Sequence, residues 1–311
     1  MSIALPAAAP RAALFRLPLP LLVAVFCLIW SSAFAVSKLA IFDCPPLLLI
    51  AVRCLFAGIV VLGGAALAGA RPRLSGRDVT LFAMLGIANY ALYLGCNYMG
   101  VERGLSAGLA ALVTSANPVL TAVLAATFLD EPLTWRKTAG LVLGVAGVAV
   151  IVGHRITGGE SGVGIALGTG ALVALTAGTI LFKRFTPAGS IVIGNGVQNL
   201  AGGLALVPFA LAFERIGDVV PSVRLLVAFL FLTLFASVIG YLLWFHLLTV
   251  AGATAASAYH FLMPPLGLFF GWLLIGERIE VFDLAGVLPV ALGIWLVTHG
   301  AAAPPGTGDT R

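Results

Sequence analysis

Apolar runs of about 20 residues, one after another with only short charged connections between them, dominate this sequence. A helix rises about 1.5 Å per residue, so one such run covers the hydrocarbon core of a bilayer. Turn residues and charges divide the chain into ten runs, near 19–41, 45–69, 79–100, 105–129, 136–153, 162–184, 190–213, 224–247, 253–275 and 282–299. No connection is long enough to hold a soluble domain. Charged residues make up 9% of the 311, against about 25% in soluble domains. So few charges cannot cover a water-facing surface of that size. The pattern predicts an all-α membrane protein with ten transmembrane helices.

The net charge of +5 does not point to nucleic acid. Lys and Arg sit in short clusters at the ends of the runs, and no basic stretch is interleaved with aromatics. With the N-terminus inside, inner segments carry Arg11, Arg16, Arg71, Arg73, Arg77, Arg136, Lys137, Lys183, Arg184 and Arg311. Outer segments carry Arg103, Arg155, Arg215, Arg224 and Arg278. This bias, which comes mainly from the first half, predicts both termini in the cytoplasm. Arg11 and Arg16, then an apolar run and Ala33-Phe34-Ala35, have the form of a signal peptide. The run continues to about Phe42 and further spans follow, so it reads as an uncleaved first helix. The end from Ala301, with Pro304, Pro305 and Gly306, reads as a disordered tail over 301–311. Cys27, Cys44, Cys54 and Cys96 lack metal-ligand or redox spacing and read as small buried apolar residues.

Comparing the chain with itself reveals a repeat. Shifted by 146 positions, Ala107 meets Ala253, Pro118 meets Pro264, Glu131 meets Glu277, Gly140 meets Gly286 and Gly147 meets Gly293. At an offset of 145, Lys38 meets Lys183 and Arg53 meets Gln198. A small apolar alphabet gives chance matches easily, but not Pro, Glu and two Gly in one register. The repeat predicts two five-helix units, 1–158 and 159–300. Five is odd, so the second unit enters the membrane upside down. Inverted repeats are typical of secondary transporters, with substrate held near the midplane between the halves around a central cavity.

Helical projection at about 100° per residue places polar groups on shared faces. Span 3 groups Asn89, Tyr90, Tyr93 and Asn97, and sends Tyr98 the opposite way, as an interfacial belt aromatic. Span 4 groups Thr114, Asn117, Pro118 and Thr121, with Ser115 at the edge. Span 9 matches it with His260, Met263 and Pro264, with Tyr259 at the edge. Thr176 lies on the polar face of span 6, Asn195, Gln198 and Asn199 on that of span 7, Tyr241 and Trp244 on that of span 8, and Trp30 with Lys38 on that of span 1. An amide in lipid leaves donors and acceptors unpaired. These faces therefore predict a shared wet interior that binds a small molecule, with interhelical bridging as the alternative for any single Thr or Ser. The candidate substrate-binding set is Trp30, Asn89, Tyr90, Tyr93, Asn97, Ser115, Asn117, Thr176, Tyr241, Trp244, Tyr259 and His260. Pro118, Pro264 and Pro265 free upstream carbonyls that could meet an ammonium group or simply kink the helix. Gly140/Gly144 and Gly267/Gly271 read as close helix packing within a monomer, with dimerisation the alternative.

All twelve acids, from Asp43 and Asp78 to Asp283 and Asp309, lie at span ends, in connections or in the tail. Proton- and cation-coupled carriers commonly need an intramembrane carboxylate. Its absence predicts a carrier that lets substrate run down its gradient. His260 reads as a hydrogen-bonded neutral histidine, with proton coupling the alternative. Lys38 and Lys183 occupy equivalent places and read as snorkelling cations or as gating contacts for substrate anions. Arg53 lies inside an apolar run and reads as structural, paired with carbonyls or a loop acid. No DDxxD, HExxH, Ser/His/Asp set or Walker motif is present, which leaves no enzyme chemistry, metal, cofactor or ATP-driven cycle to assign. A multidrug or hydrophobic-cation exporter is the alternative function, and it calls for an acid inside an aromatic cage.

Trp30-Ser31-Ser32, Arg53, Asn117-Pro118 and Asp130-Glu131-Pro132 followed by Gly140 and Gly147 resemble the EamA-type transporters of the drug/metabolite transporter superfamily. Met263-Pro264-Pro265 and Gly276-Glu277-Arg278, followed by Gly286 and Gly293, form the second copy. The resemblance covers nearly the whole chain. It implies a carrier of the bacterial inner (plasma) membrane, often an exporter of amino acids or related metabolites. Within that family, similarity to the YddG-like aromatic amino acid exporters implies that Trp30 and Tyr90 occupy aromatic site positions. Ser115 and Asn117 beside the span-4 proline depart from that pattern and argue against strict aromatic selectivity.

Overall fold

The computed structural model describes residues 17–69, 74–105, 113–114, 116–153, 161–187, 190–276, 288–289 and 291–297, and among them every regular element is a helix. Glu277, Gly286, the 158/159 boundary and the tail 301–311 lie outside the described residues. The helices are α1 (Leu19–Ile41), α2 (Pro46–Leu67), α3 (Gly76–Glu102), α4 (Asn117–Phe128), α5 (Trp135–Gly153), α6 (Gly162–Phe185), α7 (Ile191–Phe213), α8 (Val223–Ala251), α9 (Ala253–Ala258) and α10 (Met263–Ile275). Six of them, α1, α2, α3, α6, α7 and α8, are individually long and apolar enough to cross a membrane. A seventh candidate is the bent pair of α9 and α10, joined by a 3-10 turn at Tyr259–Leu262 and inclined by 40°.

Local chemistry explains where the helices begin. Ser75, Ser161, Ser190 and Ser222 each precede a helix and accept an amide N–H of its first turn, from Asp78, Gly164, Ile193 and Leu225. This satisfies one of the donors every helix start leaves open. The helices preceded by Pro45 and Gly252 have no such side chain and borrow a carboxylate from elsewhere in the chain. Glu214 accepts from the amides of Leu47 and Leu48 at 2.8 and 2.6 Å. Glu131 accepts from the amides of Ala253 and Thr254 at 2.8 and 3.2 Å, and from the Thr254 hydroxyl at 2.8 Å.

The burial pattern is that of a chain whose surroundings are lipid. Leu67, Phe213 and Val223 are 93%, 72% and 79% exposed, while Asn89, Asn117, Asn195, Gln198 and Asn199 are fully enclosed. Helices at equivalent places in the repeat pack against each other. A Cβ at Gly58 of α2 would stand 2.9 Å from the Gly196 carbonyl of α7. One at Gly140 of α5 would stand 2.6 Å from the carbonyl of Gly293. Gly144 leaves room for the Phe261 ring, so the Gly140/Gly144 pair serves packing inside the chain. Gly267 has open space beside it.

Two departures from regular α-helix recur at equivalent places. Both α3 and α8 carry a π-helical stretch, Ile87–Leu94 and Leu232–Gly240. The 146-residue offset also carries Asn117, the first residue of α4, onto Met263, the first of α10, each followed by a proline in the first turn. The continuous span expected over 253–275 is therefore broken at Tyr259–Leu262. Proline cannot bond back into the preceding turn, so the helix restarts there.

Candidate functional site

Tyrosine side chains reach between the two π-bearing helices and tie them together reciprocally. A π turn breaks the i→i−4 ladder and leaves backbone carbonyls to other donors. The Tyr90 hydroxyl of α3 donates to the Ser237 carbonyl of α8 at 2.9 Å, and the Tyr241 hydroxyl of α8 donates to the Asn89 carbonyl of α3 at 3.0 Å. The two rings pack with centroids 4.5 Å apart. From α7, the Asn199 amide donates to the Tyr90 hydroxyl at 3.1 Å and the Asn195 amide to the Ser237 carbonyl at 3.2 Å. Tyr90, expected at the site, thus sits at the centre of a buried polar lattice.

Beside this lattice is a partly open cavity of about 40 Å³, lined by Trp30, Phe34 and Ser37 of α1, Arg53 of α2, Tyr93, Asn97 and Tyr98 of α3 and Tyr241 of α8. Of the expected site residues, Trp30, Tyr93, Asn97 and Tyr241 meet here. Tyr98 belongs with them: it is buried and accepts a hydrogen bond from the Arg53 guanidinium at 3.3 Å. Its assignment as an interfacial belt aromatic is corrected. The π stretch Ile87–Leu94 winds more slowly than an α-helix, so residues beyond it turn to a different side than a projection at 100° gives. Arg53 and Tyr98 are the residues missed by the sequence reading. The signal for Arg53 was present, because an ionisable residue inside an apolar run marks a site by default.

Trp30 extends the cavity wall into an aromatic cluster with Phe26, Trp244 and His260. The His260 ring meets Trp244 edge-on at 4.7 Å and Trp30 at 5.8 Å. The Ser257 carbonyl lies 3.2 Å from His260 Nδ1, which places the hydrogen there and leaves Nε2 as an acceptor. That Nε2 and the Trp244 indole N–H are both buried without a hydrogen-bond partner. Tyr259 offers its backbone carbonyl to the Cys27 thiol at 3.8 Å.

A third group forms where α4 begins. The Asn117 side-chain oxygen accepts from Thr176 at 2.9 Å and from Thr121 at 3.3 Å, while its amide nitrogen has no partner. Among the described residues Asn89 has no hydrogen-bond partner for either side-chain atom, and Gly178 makes room for it, since a Cβ there would stand 2.4 Å from Asn89 Oδ1. Lys38 and Lys183 occupy the last turns of α1 and α6 and are half-buried. Ser115 lies outside the described residues.

The end of the bundle nearest the cavity is closed by the connections α1–α2 and α7–α8. Asp43 accepts from Arg224 Nε at 2.7 Å and from the Ser222 hydroxyl at 2.6 Å, and its carbonyl accepts from the Val220 amide at 2.8 Å. The Arg224 guanidinium, and after it the Ser222 hydroxyl, hold the Asp43 carboxyl down at about 2. Burial pushes the Glu214 carboxyl up, opposed by the amides of Leu47 and Leu48.

The chain resembles several known proteins over nearly its full length. It is 27% identical over 289 residues to the uncharacterized transporter YvbV of Bacillus subtilis (strain 168), covering 91% of this chain and 92% of that one. It is 30% identical over 285 residues to an S-adenosylmethionine/S-adenosylhomocysteine transporter of Chlamydia muridarum, covering 87% and 88%. It is 26% identical over 276 residues to a probable terminal-alkyne amino-acid exporter of Streptantibioticus cattleyicolor, covering 87% and 90%. A solved crystal structure shares the fold with a TM-score of 0.74 over 90% of this chain and 96% of its own, at 18% identity. The EamA-like transporter family profile matches twice, over residues 18–153 and 162–299, so the chain is a two-repeat membrane transporter, not an enzyme, and belongs to the EamA-like transporter family.

Proposed function

We propose that this transporter is a secondary carrier of small metabolites, most readily neutral or aromatic amino acids, working by alternating access as an exporter or uniporter. The single observation that carries the reading is a buried polar and aromatic interior in a chain whose apolar runs hold no carboxylate at depth. Amides at Asn89, Asn97 and Asn117, hydroxyls at Thr176 and Tyr93, and the rings of Trp30 and Tyr241 suit a zwitterion with varied side chains. The absence of a coupling acid at depth in the sequence supports movement down a gradient. Two named relatives carry an amino acid or a methionine derivative, which supports the same class. A hydrophobic-cation exporter is disfavoured, because Arg53 in the cavity wall repels a cation and no acid there attracts one.

In this reading ten spans form two inverted five-helix units, 1–158 and 159–300, around the cavity. The protein acts as a monomer in the bacterial inner membrane with both termini in the cytoplasm. Lys38 and Lys183, in equivalent last turns, meet substrate carboxylates as either end opens. Purified protein in liposomes should exchange radiolabelled neutral amino acids with no imposed ion gradient. A panel of the neutral and aromatic amino acids that shows no flux above empty liposomes defeats the amino-acid assignment.

A further inference from the structure

We infer that Arg53 is the anion-binding residue of the cavity and that the carried molecule presents a carboxylate to it. The inference rests on reading the cavity as the substrate site and names the chemical class that site selects.

Arg53 is the eighth residue of α2, about 10 Å along the helix from its start. It is 2% exposed. Its guanidinium donates to the Tyr98 hydroxyl and lies 5.7 Å from the Tyr98 ring centre, while Nε has no partner. Among the described residues no carboxylate pairs with it. The acids at that end of the bundle are otherwise engaged or face outward. Asp43 is held by Arg224 and Ser222, Glu214 by the start of α2, and Glu102 and Asp218 are exposed. A guanidinium does not give up its proton in a protein. A buried charge without a counter-charge is strongly destabilising. A cation kept at this depth with an unused donor fits a site whose counter-charge arrives with the ligand.

The remaining walls describe the rest of that ligand. Trp30, Tyr93 and Tyr241 offer ring faces to an apolar body, and Asn97 offers an amide. An α-ammonium group would find the ring faces and the Asn97 oxygen, so a zwitterion is held at both poles. A purely cationic ligand would find the same ring faces but would bring no anion to Arg53, whose charge repels it. At about 40 Å³ the cavity has room for no more than a few waters beside Arg53 in this state.

The test uses matched acids and amides on the purified full-length protein. Thermal stabilisation is measured with L-phenylalanine against L-phenylalaninamide and with 3-phenylpropionate against 3-phenylpropionamide. The acids should half-saturate at concentrations about tenfold or more below the amides, as for a charge-assisted hydrogen bond. Arg53→Gln should erase the difference, and Arg53→Lys should keep only part of it, having charge without the fork. If Arg53→Gln does not fold, Tyr98→Phe removes the hydroxyl that the guanidinium donates to and should shift the acids several-fold more than the amides. Equal response of wild type to acids and amides, stabilisation by neither, or an acid preference that survives Arg53→Gln each overturn the inference. The liposome assay separates the two readings. Binding of 3-phenylpropionate through Arg53 without amino acid flux removes the amino-acid assignment and keeps the anion site. Amino acid flux with an unchanged acid preference in Arg53→Gln does the reverse.

Discussion

Asn97 and Asn199 are both buried amides, yet they are engaged in different ways. Asn97 lines the cavity beside Arg53 and Tyr93. Asn199 spans four acceptors, the Tyr90 hydroxyl, the Ser237 carbonyl and the backbone and side-chain oxygens of Asn195. Asn97→Leu is therefore expected to abolish flux with little change in thermal stability. Asn199→Leu removes donors from buried acceptors and is expected to lower stability by about 1–3 kcal/mol. Measuring melting temperature and liposome flux on both variants checks the contrast, and equal melting shifts would contradict it. The amide composition of these faces was legible in the sequence because unpaired amides do not sit in lipid. Which amide lines the cavity and which braces the helices was not legible. That depends on partners more than 100 residues away, such as Tyr90 with Asn195 and Asn199.

Among the elements, the connection between α1 and α2 has its own pH dependence. Asp43 titrates at about 2 when paired with Arg224 and Ser222, below the ordinary 3.8. A depressed folded value stabilises the charged form. The contribution is therefore complete above about pH 4 and is lost as pH falls through about 2. Acid titration of thermal stability should show a loss in this window that Asp43→Asn lacks, because the variant has lost it at every pH. An identical titration in the two proteins would show that the tie does not stabilise the fold. Helix starts at Ser75, Ser161, Ser190 and Ser222 could be read from capping chemistry. The π stretches could not, because an i→i+5 turn has no compositional mark. The projection through Ile87–Leu94 kept Asn97 with Tyr93 on the cavity side but turned Tyr98 away from it.

For the whole molecule, the apolar runs and the offset of 146 made an all-helical membrane protein of two repeats legible, since both follow from bilayer thickness and repetition rather than from side-chain detail, and six helices among the described residues are individually long enough to span. The orientation expected from the placement of Lys and Arg has a direct test. Reporter fusions after Arg77 should score as cytoplasmic and those after Arg103 as periplasmic, and the opposite pattern would refute both termini lying inside. The paired π stretches also bear on ancestry. Ile87–Leu94 and Leu232–Gly240 stand at matching registers in the two copies. A π turn adds a residue to a helix, and the same addition arising twice at one register is less economical than its arising once and being copied. The insertion is then older than the gene fusion. The tyrosines that exchange hydroxyls for carbonyls do not share that register, since at an offset of 145 Tyr90 meets Phe235 and Tyr241 meets Cys96, so the exchange belongs to this chain and not to the turn that was copied.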